Sequence, residues 1–158
     1  NGECDGINYY YVTREEFLSC KEKGEFIETA EFSGNMYGTS KMAIQCIQQK
    51  SQICILDIEM QGVIQIKKIP ELDPHFVFIQ PPSIEELERR LRDRKTETEE
   101  SLKKRLDTAK RELEYGSNLE NFDIIIVNDD VDKASTELRA FMIKDLEELK
   151  QSKTSSSL

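Results

Sequence analysis

The stretch HFVFIQPPSIEELERRLRDR (75–94) decides the fold, because it passes from a strand-like run directly into a helix. Its first six residues are almost continuously apolar, which is typical of a parallel strand covered on both faces. Ser83, followed three residues later by Glu86, predicts a capping box that opens the helix. QICILDIE (52–59) and FDIIIVND (122–129) share the strand pattern. We therefore predict an α/β fold with a mainly parallel sheet.

Further helix signals lie between and after these runs. Thr96 with Glu99 predicts a second capping box, for TETEESLKKRLDTAKRELEY, and Asp132 can cap a last helix over DKASTELRAFMIKDLEELK. The closing run QSKTSSSL (151–158) is rich in Ser, Thr and Lys, a composition that predicts a disordered tail.

The first forty residues follow a different pattern. Thr13 with Glu16 predicts a short helix that Gly24 ends. EFIETAEFS and NMYGT then alternate like the strands of a hairpin, with a turn at 33–35. Packing alone gives no reason for Glu28 among the apolar residues of this hairpin. The segment is expected to form a small mixed α+β lobe on the core.

Composition narrows the classes of function. The chain has 158 residues, enough for a hydrophobic core, and a net charge of -9, which argues against nucleic-acid binding. No apolar run approaches the roughly 20 residues of a membrane-spanning helix. The four cysteines form no C-x-x-C pair and His75 is the only histidine, so reduced thiols are expected and a zinc site is not. We expect a cytoplasmic protein without nucleic-acid or membrane partners.

Two groups of charged residues could carry chemistry. Six arginines lie on the two predicted helices after residue 83: Arg89, Arg90, Arg92, Arg94, Arg105 and Arg111. Most are expected to form i,i+4 salt bridges, while the alternative is a mobile lid whose guanidinium groups bind phosphate. Asp57 and Glu59 lie at the carboxyl end of the first predicted strand. Ligands of α/β sheets bind beyond this end of the strands, and phosphoryl-transfer enzymes place an acid there near Mg²⁺.

Six segments in order closely resemble the guanylate kinase family over residues 2 to about 145. They are GE-x-DG-x-x-Y (2–9), EFIE-x-AEFSGN-x-YGTS (25–40), CILDIEMQG (54–62), PPSIEELERRL (81–91), R-x-T-ET-EE-S-x-x-KRL (94–106) and IVNDD (126–130).

The resemblance implies a P-loop-kinase-like parallel sheet with helices on both faces, a small mixed lobe for the nucleoside monophosphate, and a helical lid. Residues 1–150 would form one domain. Its parts would be the GMP-binding lobe (about 1–40), the core (41–82 and 116–150) and the lid (83–115).

The implied reaction is ATP-dependent phosphorylation of GMP to GDP with Mg²⁺. We expect the protein to be a monomer. In the family, the equivalent of Glu28 accepts hydrogen bonds from guanine N1–H and the 2-amino group, two adjacent donors that suit a carboxylate. Thr39 matches a hydroxyl near the base. Tyr9 and Tyr37 match tyrosines whose hydroxyl groups donate hydrogen bonds to the GMP phosphate. The alternative for Tyr9 is packing in the core, and we expect core packing for Tyr10 or Tyr11. Two acids also fall at GMP-binding positions: Glu3, which would orient phosphate-binding arginines, and Glu59.

The remaining implied roles concern phosphoryl transfer. Arg94 and Arg105 match lid arginines that reach the phosphates of donor and acceptor, Arg94 contacting ATP as well. Asp57 matches an acid at the transfer centre, where it would meet Mg²⁺ through water. Asn128 borders the adenine site of ATP, with a turn-forming asparagine as the alternative.

The chain departs from the family pattern at several positions. Lys95 stands where glycine usually follows the lid arginine, Thr29 replaces a tryptophan, and Glu59 replaces an aspartate. The printed sequence contains no G-x-x-x-x-G-K-[ST] motif. We expect the P-loop and its strand to lie upstream of Asn1, and this chain alone to be inactive without them.

One other class of function fits part of the pattern. A non-catalytic guanylate-kinase-like module that binds phosphopeptides would keep Glu3, Tyr9 and Tyr37. Only catalysis needs Arg94, Arg105 and Asp57, so their presence favours the enzyme. A kinase for another nucleoside monophosphate is disfavoured by Glu28.

Overall fold

The computed structural model describes residues 4–6, 9–32, 34–50, 52–94 and 98–155. The chain divides into two compact units, Asn1–Asp73 and Pro74–Leu158. The boundary falls inside the segment 41–82 that the resemblance assigns to the core. None of the described helices is long and apolar enough to cross a membrane.

The first unit contains helices α1 (Arg14–Glu22), α2 (Lys41–Gln49) and α3 (Met60–Ile66), strands β1 (Phe26–Phe32) and β2 (Asn35–Ser40), and a 3-10 turn at Pro70–Leu72. Its buried apolar residues are Phe17, Ile27, Ile44, Val63 and Ile66. The predicted capping box is confirmed: Thr13 Oγ1 accepts from Glu16 N at 3.2 Å, and Glu16 Oε2 accepts from Thr13 N at 2.8 Å.

The predicted hairpin is confirmed as an antiparallel pair of β1 and β2. Its register places Glu28 opposite Thr39 and Ala30 opposite Tyr37, with an irregularity between Phe26 and Glu28. Because side chains alternate along a strand, Glu28, Thr39 and Tyr37 lie on one face of the hairpin. Helix α3 packs against β1.

The strand predicted over 52–59 is wrong for this structure. These residues have no regular secondary structure, and α3 begins directly after them. A strand exists only where a neighbour completes its backbone hydrogen bonds, and neither sheet of the described residues includes this run. Ile55 is accordingly 71% exposed, although the sequence pattern predicts cover on both faces.

The second unit contains strands β3 (Val77–Gln80) and β4 (Ile124–Val127) and helices α4 (Ile84–Asp93), α5 (Glu99–Gly116) and α6 (Val131–Ser155). The two strands pair in parallel, which confirms that prediction and the α/β class. Buried here are Leu91, Leu102, Phe122 and Ile126. Gly116 lies so close to β3 that a Cβ atom there would stand 2.1 Å from the Phe78 ring, so this position has no room for a side chain.

Of the three helix N-caps predicted for this unit, one is found at the predicted residue. Ser83 caps α4 as predicted, accepting from Glu86 N at 3.1 Å. Helix α5 is capped by Thr98 with Ser101; the predicted cap, Thr96, lies outside the described residues. Helix α6 begins one residue before Asp132, and Asp130 Oδ1 accepts from Lys133 N at 2.9 Å in its place.

The end of α6 also differs from the expectation. The helix continues through Ser155, into the segment 151–158 for which composition predicts disorder. No proline or glycine lies between Val131 and Ser155, so the sequence contains no residue that strongly ends a helix there. Residues 156–158 lie outside the described residues.

Candidate functional site

The hairpin carries a buried carboxylate. Glu28 is 6% exposed and is the one buried polar or charged side chain among the residues that the structure describes. Its Oε1 accepts a hydrogen bond of 2.7 Å from Thr39 Oγ1. Within that part of the chain no lysine, arginine or histidine pairs with Glu28. A buried carboxylate is costly unless it is hydrogen-bonded, and one hydroxyl leaves most of its acceptor capacity unused.

Helix α3 closes one side of this carboxylate. A Cβ atom on Gly62 would lie 3.2 Å from Glu28 Oε2, so a side chain at this position would crowd the carboxylate, and glycine leaves it room. One turn later, Gln65 accepts from Thr29 N at 3.0 Å and donates to Thr29 O at 2.8 Å. These contacts place α3 and β1 in fixed register beside the carboxylate.

Two tyrosines meet on the same unit. The ring centroids of Tyr9 and Tyr37 are 5.9 Å apart in an edge-on arrangement, and the residues are 45% and 37% exposed. The exposure excludes core packing for Tyr9. It also shows that the core position expected for a neighbour is wrong, because Tyr10 and Tyr11 are 83% and 57% exposed. The pair can therefore present hydroxyl donors to a ligand in solvent.

The acids at the end of 52–59 differ in environment. Asp57 is exposed, whereas Glu59 is half-buried at the residue before α3 and makes no capping bond to that helix with its side chain. Among the described residues, no cluster of three or more His, Cys, Asp or Glu side chains could hold a metal ion.

Three arginines of the second unit form ion pairs with neighbouring acids, which confirms the salt-bridge prediction for Arg89, Arg90 and Arg92 but not for Arg111. Side-chain or backbone acceptors on the same unit bind Arg89, Arg90, Arg92 and Arg111. Hydrogen bonds from Arg89 and Arg90 lower the pKa of Glu86 from its ordinary 4.5 to about 2.

Arg94 stands apart from that set. It is the exposed residue that ends α4, and among the described residues no side chain forms an ion pair with it. Arg105 is half-buried on the second turn of α5, the helix that packs against α4. The two lid candidates thus lie on neighbouring helices of one unit.

Asn128 follows β4 and is held through its backbone. Its N donates to Gln80 O at 2.8 Å, and its O accepts from Arg90 Nη1 at 2.9 Å. Its side-chain Oδ1 is buried and has no hydrogen-bond partner among the described residues. An unsatisfied buried acceptor is costly, and it is a feature expected of a ligand-binding position more than of a simple turn.

Two further predicted residues lie in parts of the chain that the structure does not describe, and two contacts in the structure were not predicted. Glu3 and Lys95 lie outside the described residues. Sequence reasoning did not identify Gln65 or Arg90 as contacts of the site, because their backbone partners lie 36 and 38 residues away. The sequence carries no local signal for such pairs, since an isolated glutamine or arginine on a helix face is ordinarily solvated.

The chain is similar in sequence and in structure to known proteins. The family profile described as guanylate kinase matches residues 1–145. A guanylate kinase of Schizosaccharomyces pombe is 51% identical over 91% of this chain and 71% of its own length, and one of Homo sapiens is 48% identical over 92% and 73%. The crystal structure of guanylate kinase from Anaplasma phagocytophilum is similar with a TM-score of 0.70 and 32% identity, covering 96% of this chain and 77% of that one.

Proposed function

The chain belongs to the guanylate kinase family, and from that premise we propose that Glu28, on the β1–β2 hairpin, is the residue through which it selects GMP. The reaction is transfer of a phosphoryl group from ATP to GMP. The observation that carries the assignment is the burial of Glu28 with a single recorded hydrogen bond, from Thr39, and no cation beside it in the described part of the chain.

Guanine has the donors that this carboxylate can accept. Its N1–H and 2-amino group point in the same direction, and a carboxylate offers about four lone-pair positions, of which Thr39 uses one. Adenine has no such pair of donors. With adenine bound, Glu28 would stay buried without new partners, a penalty that discriminates strongly between bases in a closed site.

The phosphate of GMP is assigned to the two tyrosines. Tyr9 and Tyr37 are close to each other and exposed, so their hydroxyl groups are available as neutral donors to phosphate oxygens. Tyr37 shares the hairpin face of Glu28, two residues along the strand from Thr39. One short strand can therefore contribute to both ends of the nucleotide. Glu3 and Glu59 complete the proposed GMP set, on the strength of the resemblance.

Arg94, Arg105 and Asp57 are assigned to the transfer step. Arg94 is exposed and unpaired within the described residues, which leaves its guanidinium fork free to bind phosphate oxygens as charge shifts between them. Arg105 is assigned the same role from the neighbouring helix. These positions act by orientation and electrostatics, because phosphoryl transfer needs little covalent help from protein side chains.

The residues present fit Mg²⁺ held mainly by substrate and water. Asp57 is an exposed carboxylate, and no three-ligand cluster occurs in the described residues. Mg²⁺ commonly keeps several waters and takes one or two carboxylates with substrate phosphates. When bound, the ion would neutralise charge on the phosphoryl oxygens. Asp57 would orient one of its waters.

ATP is assigned to the segment after β4. The buried Oδ1 of Asn128 is an acceptor without a partner in the described residues, which suits the 6-amino donor of adenine. Arg90 holds the backbone of the same residue in place. Arg94 is expected to contact the phosphates of ATP.

We also propose a cytoplasmic protein that acts as a monomer. The four cysteines are free thiols, as suits a reducing compartment. Gel filtration at micromolar concentration tests the oligomeric state.

Nucleotide titration tests the proposal directly. We expect GMP to bind this chain in calorimetry, IMP to bind more weakly because it lacks the 2-amino donor, and AMP to bind weakest. GMP binding does not require the ATP-phosphate loop, so this readout is suited to a sequence without that motif. Equal affinity for GMP and AMP would refute the assignment of Glu28. In a form that includes an ATP-phosphate loop, ADP release in the presence of GMP, ATP and Mg²⁺ measures the catalysed reaction.

A further inference from the structure

Gln65 makes a two-point contact with the strand that carries Glu28. From α3, its Oε1 accepts from Thr29 N at 3.0 Å and its Nε2 donates to Thr29 O at 2.8 Å. Nε2 also donates to Gln61 O, one turn earlier on its own helix, at 3.0 Å. One side-chain amide thereby satisfies both backbone groups of a strand residue, as a neighbouring strand would do.

These two backbone groups lie on the edge of β1 that β2 does not use. In an antiparallel ladder, the groups of successive residues point alternately towards and away from the partner strand. Those of Thr29 are bound by Gln65, so they point away from β2. The ladder itself is irregular between Phe26 and Glu28, directly before the carboxylate. On this edge of β1, α3 therefore supplies the hydrogen bonds that fix the backbone next to Glu28.

The same helix leaves room for the carboxylate at Gly62. Gly62 lies three residues before Gln65 and leaves just enough room for Glu28 Oε2, at 3.2 Å from where its Cβ would be. The Thr29 N–H belongs to the peptide bond that joins Glu28 to Thr29. Fixing that peptide therefore fixes the point from which the Glu28 side chain extends.

We propose that Gln65 is a positioning residue for guanine recognition: by binding both backbone groups of Thr29, it holds Glu28 where the base is read. The inference rests on the proposed function of Glu28. Gln65 does not touch the base, and it acts through the backbone of β1. Its loss lets the strand shift against α3, and a shift of a fraction of an ångström weakens two parallel hydrogen bonds together.

The test is calorimetric titration of GMP and IMP into the full chain carrying Gln65→Met. Methionine keeps the length and much of the volume of glutamine but makes neither hydrogen bond. Gln48→Met is the matched control, because Gln48 is exposed on α2 and its side chain makes no hydrogen bond within the described residues. Gln65→Asn keeps the amide but reaches at most one of the two backbone groups, so it serves if the methionine variant folds poorly.

For Gln65→Met we expect the Kd for GMP to rise about tenfold and the Kd for IMP to rise no more than about threefold. Gln48→Met should bind both nucleotides as tightly as the parent. The Kd of Gln65→Asn for GMP should lie between those of the parent and Gln65→Met. The GMP-to-IMP ratio is the readout that a purely structural role would leave unchanged. Equal weakening of both nucleotides, or no weakening of either, overturns the inference.

Glu28→Gln, measured in the same series, separates this inference from the proposed function. If Glu28→Gln weakens GMP binding and Gln65→Met does not, the positioning role is wrong and the guanine-reading role stands. If Glu28→Gln binds GMP as tightly as the parent, both are wrong.

Discussion

Replacing Thr39 with valine removes the one recorded hydrogen bond to a buried carboxylate while keeping a β-branched side chain in β2. The bond is 2.7 Å long, and Glu28 is 6% exposed, so water cannot readily replace the hydroxyl. Hydrogen bonds to charged groups contribute about 1.5–3 kcal/mol, and loss of one partner leaves the desolvation cost in place. We expect Thr39→Val to lower the free energy of unfolding by about 2 kcal/mol, or Tm by roughly 4–8 °C for a chain of this size.

Thr39→Ser is the matched control, because it keeps the hydroxyl and loses only a methyl group. We expect the serine variant to lose less than about 1 kcal/mol. Urea denaturation of the parent and both variants measures the differences from the midpoints at an unchanged slope. If valine is as stable as serine, Glu28 does not depend on the Thr39 hydroxyl, and the described geometry of the hairpin site is mistaken.

Two further predictions concern the second unit. In a form of the protein that includes an ATP-phosphate loop, Arg94→Ala should lower kcat on the order of 100-fold, measured by ADP release, with little change in KM for GMP. Tm should change little, since the exposed side chain has no ion pair among the described residues. A raised KM with unchanged kcat would contradict the lid assignment. Glu86→Gln should make the protein less acid-sensitive: the pKa of Glu86 is lowered from 4.5 to about 2 by Arg89 and Arg90, so its contribution to stability is present above about pH 4.5 and is lost as the pH falls towards 2. Between about pH 4.5 and pH 2, Tm should fall less in the variant than in the parent. If Tm falls equally in both proteins, Glu86 does not contribute to the acid sensitivity.

Local signals predicted local structure well. The helix starts at Thr13 and Ser83 depend on residues three positions apart: the capping box at Thr13 forms in full, whereas at Ser83 only the cap bond from Glu86 N forms. The hairpin follows from alternation and a short turn, whereas the pairing of Glu28 with Thr39 was known only once the strands were aligned in the structure. Where two caps competed within a few residues, as at Thr98, spacing alone did not decide between them.

Features that depend on distant partners were not predicted. The run 52–59 has strand composition, but strand formation depends on a neighbour that composition does not specify. Gln65 and Arg90 each bind backbone groups more than 30 residues away, and only the packing of α3 on β1 and of α4 beside β4 brings those groups within reach. Burial of Glu28 is likewise a tertiary property, although its place in an apolar hairpin was the clue to it.

The central claim is that Glu28 reads guanine, and Glu28→Gln tests it most directly. The amide replaces one acceptor oxygen with a donor that faces a guanine donor, a change of roughly 2–4 kcal/mol. The remaining Oε1 can still accept from Thr39, so the fold should lose little stability. Calorimetry gives the Kd for GMP and the Kd for AMP, and thermal unfolding gives Tm. We predict that the GMP Kd rises about 30- to 1000-fold while AMP affinity and Tm change little. Equal losses for both nucleotides with a lower Tm, or an unchanged GMP Kd, would contradict the account.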